Sequence, residues 1–136
     1  MIEQTINIKK TLTDKTILIV DDDISASRAL VNTFKFEKFN VLVAKNGEEG
    51  LKLALEKHPD IILLDIIMPK MDGLLILGKL REDNWGKDVP VIVLTNLNEI
   101  EATARAVKNG AYDFLIKSDW KLEDIVKKVK EKLNLK

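Results

Sequence analysis

Three carboxylates follow an apolar run near the start of the chain. The run "TILIV" ends at Val20, and Asp21, Asp22 and Asp23 come directly after it. Two carboxylates about 4 Å apart, at an effective dielectric near 20, repel each other by roughly 4 kcal/mol. Such a cluster is therefore pulled apart by solvent, partly protonated, or held together by a cation. Magnesium is the cation that hard oxygen ligands of this kind suit best.

Other polar residues follow later apolar runs. Asp65 comes after "IILL", Thr95 after "VIVL" and Lys117 after "FLI". Taken singly, Thr95 could be a turn residue and Lys117 a solvated strand-end lysine. Asp65 is harder to explain as a helix cap, because "IIMPKMDG" intervenes before the next predicted helix, and a buried charge needs compensation. Together with the acidic cluster these residues predict phosphoryl transfer to Asp65, with a cation, a lysine and a threonine hydroxyl around the phosphoryl group.

The elements that must position these residues alternate along the chain. Five short runs rich in Ile, Val and Leu, without period-two alternation, predict strands that are covered on both faces: Ile17–Val20, Val41–Ala44, Ile61–Leu64, Val91–Leu94 and Phe114–Ile116. Between and after them, helices are predicted near 24–36, 47–57, 73–82, 99–109 and 120–133. This alternation predicts a doubly wound α/β fold with a parallel sheet. Ligands of such folds bind at the carboxyl ends of the strands, where the polar residues fall.

Composition narrows the classes of protein that fit. A chain of 136 residues is one ordinary domain, and no apolar run is long enough to span a membrane. Acidic and basic residues balance at 22 each, which gives no field for binding nucleic acid. The absence of cysteine excludes disulfides and suits a reducing cytoplasm. His58 stands before Pro59, where it is expected to end a helix rather than to carry a phosphoryl group.

Four blocks of the chain carry a family resemblance. In order and spacing, "ILIVDDD", "LLDIIMPKMDG", "VIVLT" and "NGAYDFLIK" resemble the receiver domain of bacterial response regulators, over about residues 16–134. The resemblance implies a flavodoxin-like (βα)5 fold with strand order 2-1-3-4-5. On this basis residues 16–136 are expected to form a receiver domain like the stand-alone chemotaxis regulators. Residues 1–15 would be a tail or small extension, with no output domain.

The resemblance also implies a role for each matching residue. Asp65 looks like the phosphoacceptor, Asp22 like a direct ligand of Mg²⁺ (or Mn²⁺), and Asp21 like a ligand through water. Asp23 has no family role and is expected to cap a helix or to be an exposed neighbour. The remaining roles are metal binding by a backbone carbonyl (Ile67), contact with the phosphoryl group (Thr95 and Lys117), the switch aromatic (Phe114) and tuning of dephosphorylation (Ile67 and Leu97).

The function implied is a cytoplasmic signalling switch rather than a conventional enzyme. Asp65 would receive a phosphoryl group from a sensor histidine kinase or a phosphotransfer protein. The surface of the fourth and fifth predicted helices would then shift for a downstream protein target, and a phosphorylation-linked dimer is a further expectation. No binding to nucleic acid or to a membrane is expected.

Three alternative functions differ from this one in the residues that they require. A flavin- or nucleotide-binding enzyme would need glycines and donors after the first strand, where this chain has acids. A haloacid-dehalogenase-type phosphatase would need a second acid two residues after the nucleophile, where this chain has Ile67.

A phosphorylation-independent interaction module stays open because Ser118 replaces the proline that usually follows the lysine. The family's cis bond there would cost about 2.5–4 kcal/mol before a serine. Asn96 could also narrow access for the phosphodonor.

The apolar residues Ile67 and Leu97 predict a long-lived phosphoryl group, because neither side chain can orient an attacking water. Ile67→Asn and Leu97→Glu are therefore expected to lose the phosphoryl group faster than the parent chain. The measurement is the decay of phosphorylated protein after the donor is removed. A parent chain that decays as fast as either variant would contradict the prediction.

Overall fold

The core of the fold is a sheet of five parallel strands. The computed structural model describes residues 14–65, 73–95, 104, 108, 113–116 and 121–135, and of residues 24, 74, 95 and 113–116 it describes the backbone alone. The strand order is β2-β1-β3-β4-β5, and all four pairings are parallel. This confirms the predicted doubly wound order. The strands are β1 (Thr16–Val20), β2 (Asn40–Ala44), β3 (Ile61–Asp65), β4 (Val91–Thr95) and β5 (Asp113–Ile116).

Helices connect the strands where the sequence predicts them. They are α1 (Ile24–Phe36), α2 (Gly47–Lys57), α3 (Gly73–Glu82) and the C-terminal helix (Leu122–Lys132), which is the fifth predicted helix. Ala104 and Lys108 are helical and belong to the fourth predicted helix, whose other residues lie outside the described part of the chain. Several strands extend one residue beyond their predicted bounds. Polar residues such as Thr16 and Asn40 belong to the strands because their backbones pair with each other. A prediction from apolar runs alone leaves them out.

Both faces of the sheet are covered by helices, which explains why the strands lack period-two polarity. Alternate residues of β1 illustrate the division, since Leu18 packs into one apolar cluster and Ile19 into the other. The first cluster joins the sheet to α2 and α3, and the second joins it to α1 and the C-terminal helix. Because all four strand pairings are parallel, the carboxyl ends of the strands lie at one edge of the sheet.

The opposite edge of the sheet, where the strands begin, is tied by local hydrogen bonds. Thr16 donates its backbone N–H to Asp60 Oδ2 at 2.8 Å, and the Asp60 N–H donates to the Thr16 carbonyl at 2.8 Å. In the loop after α3, Asp83 Oδ2 accepts from the backbone N–H groups of Trp85 and Gly86 at 2.9 and 2.8 Å. These bonds fix the start of β1 against β3 and close the turn into β4.

The described residues also bear on domain limits and on membranes. Residues 1–13 lie outside the described part, so the expected N-terminal tail or extension stays a prediction; Asp14 and Lys15 precede β1 without regular structure. No helix among the described residues combines the length and apolarity needed to cross a bilayer.

Two glycines in the same region of the chain predict stability changes of opposite sign. A Cβ added at Gly86, which is buried, would lie 2.4 Å from the Leu80 carbonyl oxygen, whereas one added to Gly78 within α3 would meet nothing within 4 Å. Gly86→Ala is expected to lower the free energy of unfolding by about 1–3 kcal/mol, since backbone must move. Gly78→Ala is expected to raise it by roughly 0.5–1 kcal/mol through helix propensity.

Urea unfolding of the two variants beside the parent chain measures both changes. Gly78→Ala serves as the matched control, because it adds the same methyl group in open space. A stability for Gly86→Ala equal to or above that of the parent would contradict the close approach of its backbone to Leu80.

Candidate functional site

The register of β1 against β3 brings two of the predicted acids together. Val20 pairs with Leu64, so the residues that follow, Asp21 and Asp65, lie side by side at the carboxyl edge. Asp21 is held in line because its backbone N–H donates to the Ala44 carbonyl at 3.1 Å. Only 2% of Asp21 and 7% of Asp65 is exposed. Two carboxyl groups separated by more than forty residues in the chain thus share a buried edge of the sheet.

Asp22 completes a three-acid cluster and opens it to solvent. One carboxylate oxygen each from Asp21, Asp22 and Asp65 lies within 4.8 Å of the other two. Asp22 is exposed, in contrast to its two buried partners. Ionised carboxylates at this separation repel one another, and burial of two of them weakens solvent screening. The donor set consists of oxygen atoms only, with one side open to water, which is what a magnesium-type cation requires. The residues present therefore fit a divalent metal ion.

The third acid of the run, Asp23, is turned away from this cluster. It is the N-cap of α1, and its Oδ1 accepts the backbone N–H of Ala26 at 3.1 Å. The expectation that Asp23 caps a helix is confirmed. A second bond was not signalled by the sequence: the backbone N–H of Asp23 donates to Asp21 Oδ1 at 2.9 Å. The one feature of the sequence that indicates such a turn is an acid two residues before a helix cap, because an Asp side chain can accept the backbone N–H two residues further on.

The other predicted site residues are described in part or not at all. Thr95 ends β4, one residue beyond the Asp65–Leu94 pair, and its backbone pairs with Ile116, the last residue before Lys117. This places Thr95 at the same edge as the acids. Phe114 lies in β5, where its backbone pairs with Val93. The roles given to the Phe114 and Thr95 side chains, and to Ile67, Leu97, Lys117 and Ser118, fall outside the described part and stay predictions.

His58 lies at the other end of the domain and takes no part in the cluster. It is the C-cap of α2, with a left-handed φ of 48°, and its backbone N–H donates to the Ala54 carbonyl at 3.0 Å. Its ring stacks on that of Trp85, with centroids 4.3 Å apart and planes 11° from parallel. The expectation that His58 ends a helix is confirmed.

The chain is similar to curated bacterial regulators and to solved receiver structures. It is 40% identical to the regulatory protein AtoC of Escherichia coli over 101 residues, which are 74% of this chain and 22% of that protein. It is 37% identical to the DNA-binding dual master transcriptional regulator RpaA of Synechocystis over 101 residues, 74% of this chain and 42% of that protein. The matched part is thus less than half of either relative.

A solved structure shares the fold over nearly the whole chain. The response regulator receiver domain protein from Methanospirillum hungatei superposes with a TM-score of 0.82 at 29% sequence identity, covering 89% of this chain and 94% of that one. The family model of the response regulator receiver domain matches residues 17–130, a span that includes the acidic cluster and all five strands except Thr16 at the start of β1. The chain therefore belongs to the response regulator receiver domain family.

Proposed function

We propose that the chain is a phosphorylation-dependent signalling switch in which Asp65 accepts a phosphoryl group in a Mg²⁺-dependent reaction. The observation that carries this proposal is the convergence of Asp21, Asp22 and Asp65 at the carboxyl edge of the sheet. Membership of the receiver family supports it. A chain that merely retained the fold for packing would have no need of a buried acid beside a second one.

Asp65 is the nucleophile in this proposal. It ends β3 at the sheet edge, where it is 7% exposed and lies beside the exposed Asp22. An ionised carboxylate needs no general base. One of its oxygens bonds to phosphorus while the phosphorus–nitrogen bond of the donor phosphohistidine breaks and the imidazole leaves. The partner would be a sensor histidine kinase or a phosphotransfer protein.

The remaining residues of the site assist this transfer. Asp22, Asp65 and the backbone carbonyl of Ile67 would hold Mg²⁺ (or Mn²⁺) directly, and Asp21 would hold it through water. When bound, the ion neutralises the carboxylates and the developing charge on the phosphoryl oxygens. Thr95 would donate to one such oxygen and Lys117 would pair with another.

The output is proposed to be a change of surface rather than a chemical product. Phosphorylation would move Thr95 and the switch aromatic Phe114, and so alter the face made by the fourth predicted helix and the C-terminal helix. A downstream protein in the cytoplasm would bind that face. Dimer formation through the same face would be one such interaction. RpaA is named as DNA-binding, but this chain matches less than half of it and carries balanced charge. We therefore do not assign DNA contacts to this chain.

A second candidate function rests on one departure from the family pattern. Ser118 follows Lys117 where receivers usually have proline, and this could displace the lysine from the phosphoryl group. The chain would then act as a receiver-like interaction module that works without phosphorylation. The two candidates differ in whether Asp65 becomes modified.

If the cluster binds Mg²⁺, substitution of one of its acids should reduce the stabilisation by Mg²⁺ and should raise Tm in the absence of metal. In the parent chain, Mg²⁺ at about ten times its Kd should add about 1.4 kcal/mol of stability, or roughly 5 °C in Tm. Asp22→Asn and Asp65→Asn should lose most of this increase. Both should also unfold at a higher temperature than the parent in the absence of metal, because one charge has been removed from the cluster.

Thermal unfolding with EDTA and with Mg²⁺ measures both effects. Glu56→Gln removes an exposed carboxylate from α2, and should keep the full response to Mg²⁺. An equal Mg²⁺ response in the parent, Asp22→Asn and Asp65→Asn would show that the ion binds elsewhere.

Phosphorylation itself is predicted to need both Mg²⁺ and Asp65. Incubation with acetyl phosphate and Mg²⁺ should add one phosphoryl group to the parent chain, as read from intact mass. Asp65→Asn and an EDTA-treated sample should gain none. Asp88→Asn, which removes an exposed carboxylate before β4 at the opposite edge of the sheet, should be modified like the parent.

The negative outcomes distinguish the candidate functions. No gain of mass, together with no change of Trp fluorescence on adding beryllofluoride, would favour the interaction module. Refusal of acetyl phosphate with beryllofluoride still bound would instead indicate that Asn96 restricts access for the donor. Modification of Asp65→Asn would place the phosphoryl group on another residue.

A further inference from the structure

The proposed phosphoryl transfer uses Asp21, Asp22 and Asp65 and leaves Asp23 without a role. Yet Asp23 makes hydrogen bonds in both directions along the chain. Its backbone N–H donates to Asp21 Oδ1 at 2.9 Å, and its side-chain Oδ1 accepts from Ala26 N–H at 3.1 Å. Its carbonyl accepts the first helical bond of α1, from Ser27 N–H at 3.0 Å. One residue therefore connects a buried acid of the metal cluster to the first turn of a helix.

The direction of the Asp23 N–H depends on how well the cap holds its backbone. Asp23 has φ −84° and ψ 105°, an extended conformation that the bond from its side chain to Ala26 stabilises at the helix start. While that conformation is held, the N–H points at Asp21 Oδ1 and orients the Asp21 carboxylate. Loss of the cap would let the first turn of α1 fray and would leave Asp21 less firmly oriented.

The cap also keeps the charge of Asp23 out of the cluster. The three oxygens within 4.8 Å of one another come from Asp21, Asp22 and Asp65. The Asp23 carboxylate instead faces the N-terminus of α1, where free N–H groups favour a negative charge. Asp23 is exposed, so solvent and salt screen its charge from the site. Its geometry should therefore matter to the metal site more than its charge.

We propose that Asp23 is a positioning residue for the divalent-cation site: by capping α1 it holds the backbone N–H that orients Asp21. The proposal rests on the proposed function, since it requires Mg²⁺ at the cluster. It predicts that any side chain able to cap α1 preserves metal binding, whether or not that side chain is charged. Mutation of the hydrogen-bond partners of metal ligands typically lowers metal affinity about 10- to 100-fold. A smaller loss is expected here, because a change of the Asp23 side chain leaves the N–H that bonds to Asp21 in the chain.

The test is the Kd for Mg²⁺, measured by calorimetry, of the parent chain and three variants at this position. Asp23→Ala removes the cap and should weaken binding about three- to tenfold. Asp23→Asn and Asp23→Ser retain cap oxygens and should bind Mg²⁺ within about twofold of the parent. Rescue by these two uncharged variants separates positioning from charge.

Asp83→Ala is the matched control for stability. Asp83 also accepts backbone N–H groups, from Trp85 and Gly86, but at the opposite edge of the sheet. It should lower Tm as Asp23→Ala does and leave the Kd for Mg²⁺ unchanged. All samples are measured well below their Tm, so that loss of folded protein does not appear as loss of affinity.

Each contrary result has a distinct meaning. A parent chain that fails to bind Mg²⁺ would overturn the proposed metal site and this inference with it. Binding by the parent with an equal Kd for Asp23→Ala would overturn the positioning role alone. Equal weakening in Asp23→Ala, Asp23→Asn and Asp23→Ser would show that charge, not the cap, is what Asp23 supplies. Weakening by Asp83→Ala to the same extent would show a general effect of stability.

Discussion

The site depends on the register between β1 and β3. Pairing of Val20 with Leu64 places Asp21 beside Asp65, although the two are far apart in the chain. The hydrogen bonds between Thr16 and Asp60 at the other end of the two strands hold the same register. A slip of one residue would exchange the faces of a strand, and the apolar clusters on both sides of the sheet oppose such a slip. Packing of the core thereby fixes the distance between two acids that repel each other.

Repulsion among these carboxylates lowers the stability of the fold at the carboxyl edge of the sheet. Asp21 and Asp65 are almost fully buried, and Asp22 adds a third carboxylate to the same few ångströms. Hydrogen bonds to the backbone offset part of this cost, as the Asp23 N–H does for Asp21. A buried group of this kind, maintained against its own electrostatics, is usual where charge is needed for binding or chemistry. Among the three acids, Asp22 is the one exposed to solvent.

The three consecutive acids have two kinds of role. Asp21 and Asp22 face the cluster, whereas Asp23 begins α1 and bonds back to Asp21. Strand, acidic cluster and helix are thus connected within three residues. The first turn of α1 is more than a connection between β1 and β2, because its start is coupled to the orientation of a buried carboxylate. At the opposite edge Asp83 also accepts backbone N–H groups, and no acidic cluster includes it among the described residues. There the same kind of bonding closes a loop.

The order of the elements and the fold class follow from the sequence, since short apolar runs without period-two alternation are local signals. The acids of "DDD" and "LLD" at the ends of these runs are local signals too. The sequence also predicted that Asp23 is a helix cap or an exposed neighbour, and Asp23 is both. Two facts come from the folded chain alone: oxygen atoms of three carboxylates lie within 4.8 Å of one another with one of the acids exposed, and the Asp23 N–H bonds to Asp21. Those facts depend on strand register and on the direction of a single N–H. Register is set by packing of residues distant in the chain, and residue type does not encode the direction of a backbone bond.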